Sequence, residues 1–134
     1  MFEDFIAEGK VMVGSKDKQK AKALLASSEN NLKAIDMLEL NEVTSSTILS
    51  ASYESLRQVL EALCLSEGYK VYSHEAFTQY LLKIHEEAAA ERFDRLRKLR
   101  NGVNYYGKQV PVGVALDAKK QIKELCAALK KKYV

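Results

Sequence analysis

Apolar side chains recur at intervals of three and four through nearly the whole chain, the spacing that lines one face of an α-helix. No segment alternates with period two for long enough to read as a strand. Pro111 is the single proline in 134 residues, so little interrupts long helices. The pattern predicts an all-α protein: an up-and-down bundle of four to five helices with an extra short N-terminal helix.

A first helix over residues 2–13 would place Phe2, Phe5, Ile6 and Met12 on one stripe and stop at Gly14 and Ser15. Residues 1–15 therefore read as an arm and residues 16–134 as the bundle. A second helix, over 18–40, presents Ala21, Leu24, Leu25, Ser28, Leu32, Ile35 and Leu38. Turn formers over 41–46 precede a third, over 47–67, which presents Leu49, Leu56, Val59, Leu60, Leu63 and Cys64 and ends at Gly68. The second and third would pair antiparallel. Residues 69–72 read as a connector and Ser73 as an N-cap. A fourth helix over 74–85 buries Phe77, Tyr80, Leu81 and Ile84, and a fifth runs over 87–106. Gly107 breaks it, and beyond Pro111 a final helix uses Ala115, Ala118, Ile122, Leu125 and Leu129.

With 47% hydrophobic and 29% charged residues, the composition is that of a folded domain. No stretch approaches the roughly 18 apolar residues that span a bilayer. Glu3 and Asp4 stand where a signal peptide would carry basic residues. A cytoplasmic protein with no membrane association is expected. Cys64 and Cys126 sit in apolar helical patterns without metal-ligand spacing, so buried, reduced thiols are expected. No metal site and no cofactor are expected, because the chain carries no Glu-x-x-His, no His-Glu-x-x-His and no glycine-rich phosphate loop. A net charge of +3 does not identify a nucleic-acid binder. Its distribution says more: Arg92, Arg95, Arg97, Lys98 and Arg100 face one acid, Asp94, within nine positions.

On the fifth helix Ala89, Phe93, Leu96, Leu99, Val103 and Tyr106 project to one side, and Arg100 falls inside the same arc. A guanidinium stays charged and is costly to bury unpaired, so it must reach a carboxylate, a carbonyl, a cleft or a partner. Asn104 lies one turn on, and Arg97 borders the same edge. From position alone, a structural arginine paired at the core edge and a ligand-binding arginine are both admissible readings.

The run Arg97-Lys98-Leu99-Arg100-Asn101-Gly102-Val103-Asn104-Tyr105-Tyr106 resembles the motif of the HEPN family (higher eukaryotes and prokaryotes nucleotide-binding). There an arginine, usually followed by asparagine, precedes a histidine by four to six residues near a helix end. Residues 51–63, then Glu67-Gly68-Tyr69 and Ser73-His74-Glu75-Ala76, are similar to the central helix, glycine turn and His-containing connector of small prokaryotic members. The resemblance spans roughly residues 18–132 and implies a four- or five-helix bundle that dimerises and brings two motifs into one cleft. Many members are metal-independent ribonucleases that serve as toxins partnered with small nucleotidyltransferases. The chemistry fits the residue types: arginine stabilises charge developing on phosphorus, and a neutral histidine moves the proton of the ribose hydroxyl.

The histidine slot departs from that pattern. Counted from Arg100 and Asn101 it holds Tyr105; counted from Arg97 at the longest spacing it holds Asn104. Neither is a ready base at neutral pH. The resemblance thus implies Arg100, Asn101 and Tyr105 as the altered catalytic set, and Arg97, Arg100, Asn104 and Glu54 as RNA- or nucleotide-binding residues. Glu54 reads equally as an acid facing the arginine or as an exposed position one turn from Gln58. His74 and His85, at the two ends of the fourth helix, read first as surface or capping histidines, with a place in the cleft of the folded dimer as the alternative for either. The expected function is a HEPN-type RNA- or nucleotide-binding protein, a toxin-like component of a toxin–antitoxin module. It would be a homodimer with a minimal nucleotidyltransferase antitoxin, its ribonuclease activity weak or lost. The alternative is a non-catalytic dimerisation or adaptor module that binds a nucleotidyltransferase. A helix-turn-helix DNA binder is a weaker third reading, since no compact recognition helix stands out.

Overall fold

Six helices and one short antiparallel ribbon follow one another in a computed structural model that describes residues 1–106 and 109–134, without the side chains of residues 104–106. The order is α1 (Phe2–Ala7), β1 (Val11–Val13), α2 (Lys18–Asp36), α3 (Ser45–Ser66), β2 (Tyr69–Val71), α4 (His74–Lys83), α5 (Glu87–Tyr106) and α6 (Val112–Tyr133). The all-α bundle expected from the periodicity is what forms. Among the described residues no helix is long and apolar enough to cross a membrane.

Helix α3 is the central element, packed by α2 on one side and by α4, α5 and α6 on the others. Its Leu49, Tyr53, Leu56, Val59, Leu60 and Leu63 are buried against Phe77 and Tyr80 of α4, Phe93 and Leu96 of α5, and Ile122 and Leu125 of α6. Burying each large apolar side chain contributes roughly 1.5–3 kcal/mol. The two cysteines are buried and free, and burial pushes both thiols up, Cys126 to about 12. Local chemistry sets the helix ends. Asp17 accepts from the Lys20 amide to start α2, and Asn41 Oδ1 accepts from the amides of Val43 and Thr44 just before α3. Ser73 does precede α4, but its side chain makes no capping bond.

The N-terminal segment departs from expectation. A helix over 2–13 does not form: α1 stops at Ala7, and Gly9 turns the chain at φ 75. Val11–Val13 then pairs with Tyr69–Val71 in the register Val11↔Val71, Met12↔Lys70, Val13↔Tyr69. Met12, expected on the buried stripe, is therefore 55% exposed, while Val11 and Phe2 are buried in the main core. Three residues of alternation are too few to show as a strand pattern, and the pairing partner lies more than fifty positions away. Gly68 makes the approach possible: at φ 91, any Cβ it carried would collide with the Gly14 carbonyl, whose residue donates its amide to Gly68.

The segment over 69–72, expected as a plain connector, turns out to direct the bundle. Extended chain climbs about 3.3 Å per residue against 1.5 Å in a helix. From Gly68 to Ser73 the chain thus returns roughly as far as a dozen helical residues descend. As a result α4 begins beside Tyr53, and its Tyr80 lies near Glu67 and Cys64. Helices α3 and α4 consequently run parallel, whereas α4 and α5 form an antiparallel pair, tied by Thr78 donating to Asp94 and by Glu75 facing Arg97.

Candidate functional site

Phe93, fully buried, anchors the middle of α5 against α3 and α4. Its ring stacks on Tyr53 (centroids 5.7 Å, interplanar angle 22°) and meets Phe77 edge-on (6.1 Å, 86°). One and two turns further along α5, Arg97 and Arg100 leave the apolar seam where α3 and the start of α4 meet it. The Arg100 guanidinium lies over the Tyr53 ring, Cζ to centroid 5.2 Å, a favourable cation–π placement.

Arg97 is held tightly. Its side chain is 11% exposed, pairing with Asp94 at 2.9 Å and facing Glu75 at 3.7 Å. Burial alone would push the Asp94 carboxyl up, but hydrogen bonds from Arg97 and Lys98 outweigh it and hold the group below its ordinary value. Arg57, on α3, is the third cation: it donates through Nε and Nη2 to Glu54 and through Nη1 to Glu61. Glu54 thereby keeps a bidentate partner on its own helix, and it also lines an open groove with Ser46, Ser50, Arg100 and Val103. Asn101 is half-exposed. Asn104 and Tyr105, the two candidates for the histidine slot, have side chains outside the described residues.

His74 stands where these elements converge. Nδ1 of its ring lies 2.9 Å from the Tyr53 hydroxyl, and the two rings are 5.7 Å apart. Burial, reinforced by the charges of Arg57 and Arg100 and only partly opposed by Glu54, holds the imidazole below its ordinary value. Burial also pushes the Tyr53 phenol up to about 12, despite the neighbouring arginines. At neutral pH the pair is a protonated tyrosine and an uncharged histidine. His85, at the other end of α4, is exposed and borders a separate groove with Phe2, Glu3 and Lys83.

Comparison of the chain with protein-family models, with curated proteins and with solved structures yields no match.

The arrangement offers a surface with two arginines, a neutral histidine and the groove hydroxyls of Ser46 and Ser50 beside it. Among the described residues no group of His, Cys, Asp and Glu side chains is placed to hold a metal ion. Guanidinia beside uncharged hydrogen-bonding groups suit an anion with several acceptor oxygens. Of the two readings open for His74, a surface or capping histidine and a place at the cleft, the structure puts it against Tyr53 beside the arginines, a contact the sequence pattern does not indicate. One signal was legible: a short link between the fourth and fifth helices makes them an antiparallel pair, which brings the start of one level with Arg97 and Arg100 of the other. Nothing local in the sequence marks Tyr53 as the partner of His74.

Proposed function

We propose that this chain is a HEPN-type protein that binds RNA or a nucleotide through its phosphates, as the toxin-like component of a toxin–antitoxin module. The reading is supported chiefly by the position of Arg100, laid over Tyr53 at the edge of an open groove, with Arg97 and His74 grouped at the same junction of α3, α4 and α5. Guanidinium groups on an aromatic platform recognise phosphate by charge and by forked hydrogen bonds. Two copies facing each other would double the cationic surface, and a minimal nucleotidyltransferase is the proposed antitoxin. Asn101 would sit at the rim beside Arg100.

Fluorescence anisotropy with a labelled single-stranded RNA tests this reading. The logarithm of the binding constant should fall linearly with the logarithm of salt concentration. Arg100→Ala should weaken binding roughly tenfold or more, with an unchanged circular dichroism spectrum. Salt-independent binding, or full binding by the variant, would refute it.

The groove also carries Ala51 and Val103 beside its charges, and this mixed lining favours a second reading as a dimerisation or adaptor surface. In that case Arg100→Ala would change the mass measured by light scattering and leave RNA titrations flat for both proteins.

A further inference from the structure

The Tyr53–His74 contact has a direction that the surroundings dictate. Tyr53 is 0% exposed, and among the described residues its hydroxyl has one hydrogen-bond partner, Nδ1 of His74. A phenol sealed from solvent and pushed up to about 12 keeps its proton at neutral pH. An O–H buried without an acceptor costs about 1–3 kcal/mol. The Tyr53 hydroxyl therefore donates to Nδ1, and Nδ1 of the uncharged ring is the unprotonated nitrogen.

In a neutral imidazole the proton must then sit on Nε2. Ser52 Oγ is the one buried side-chain polar atom without a partner among the described residues. For Nε2 no partner is found among those residues either, and His74 as a whole is only partly buried. The imidazole stands among the charges of Arg57, Arg100 and Arg97. A nitrogen already carrying its proton cannot take one from a ribose hydroxyl.

We infer that His74 is a phosphate ligand of this site, donating its Nε2–H to a phosphodiester oxygen of RNA beside Arg100, and is not the base of a cleavage reaction. This rests on the reading given under Proposed function and deepens it. The missing motif histidine is replaced by a binding group, and the chain holds RNA without cutting it through His74. The groups that face the imidazole are Tyr53, Glu54 and Arg57 on α3 and Arg97 and Arg100 on α5, with Glu75 next to it on α4. Burial, with arginine charge on two sides, keeps the ring neutral, and the Tyr53 hydroxyl sets its tautomer.

Two measurements on the full chain decide the matter. A long-range proton–nitrogen NMR spectrum at neutral pH should show His74 with a protonated Nε2 and an unprotonated Nδ1, and Tyr53→Phe should release that preference. A spectrum with the proton on Nδ1 overturns the proposal whether or not RNA binds. In anisotropy titrations with the labelled single-stranded RNA, His74→Ala should bind roughly tenfold more weakly. His74→Gln, which retains an N–H donor at a similar reach, should recover most of the loss. Equal binding by wild type and His74→Ala overturns the role of His74 while leaving the RNA-binding reading intact. Absence of binding by the wild type overturns both. Cleavage of the RNA that disappears in both His74 variants overturns the donor assignment and makes His74 a catalytic base.

Discussion

The Tyr53 hydroxyl on α3 lies 2.9 Å from Nδ1 of His74, the first residue of α4. The bond joins two helices whose closeness depends on the short β-ribbon between them, and it occupies Nδ1 of the imidazole. Tyr53→Phe should lose about 1 kcal/mol of stability in urea denaturation, the usual net worth of one such bond. A loss above about 3 kcal/mol would show that the hydroxyl supports more of the core than this one contact.

The depressed titration of His74 makes stability depend on pH with a definite sign. Because the folded pKa lies below the unfolded value, the unfolded chain binds more protons wherever the two differ. The contribution of the neutral ring is thus fully present above the ordinary histidine range near 6.5 and is lost as pH falls below it, towards the depressed folded value. Between pH 7 and 5 the wild-type midpoint of denaturation should fall further than that of His74→Gln; parallel curves would contradict the shift.

Among the described residues Ser52 Oγ is buried without a hydrogen-bond partner. An unsatisfied hydroxyl opposes folding, so Ser52→Ala should be neutral or stabilise the fold by up to about 1 kcal/mol. A clear loss of stability in urea titrations would mean that the hydroxyl is satisfied in solution.

His85 closes α4 at φ 63, with its amide donating to Leu82 and the next amide donating to Leu81, an end geometry that glycine adopts without strain. His85→Gly should raise stability by about 0.5–1 kcal/mol. RNA binding should stay unchanged, because His85 borders a different groove from Arg100. A thermal melt and an anisotropy titration check the two halves of this expectation.

Phe2 is 1% exposed and packs edge-on against Tyr69 and Tyr80. Phe2→Ala should cost about 3–5 kcal/mol, as for a core aromatic. A detachable arm would lose almost nothing, and a midpoint within experimental error of wild type would show that the segment is dispensable.

Much of this architecture was legible in the sequence, because a helix is a local structure whose buried face is written every three or four residues. The boundaries of α5 and the buried positions Leu49, Leu56, Val59, Leu60 and Leu63 of α3, like Ala115, Ala118, Ile122, Leu125 and Leu129 of α6, follow from that spacing alone. The cationic run from Arg92 to Arg100, and the place of Arg100 within the apolar arc, were equally plain. What tertiary structure alone decided is which groups meet that arginine. Val11–Val13 and Tyr69–Val71 are each too short to announce a strand, and they pair only because the folded chain brings them together. Their extended backbone returns the chain to the level of Tyr53 before α4 begins. That climb sets His74 against a tyrosine twenty-one residues earlier, a non-local contact that spacing within a helix cannot encode.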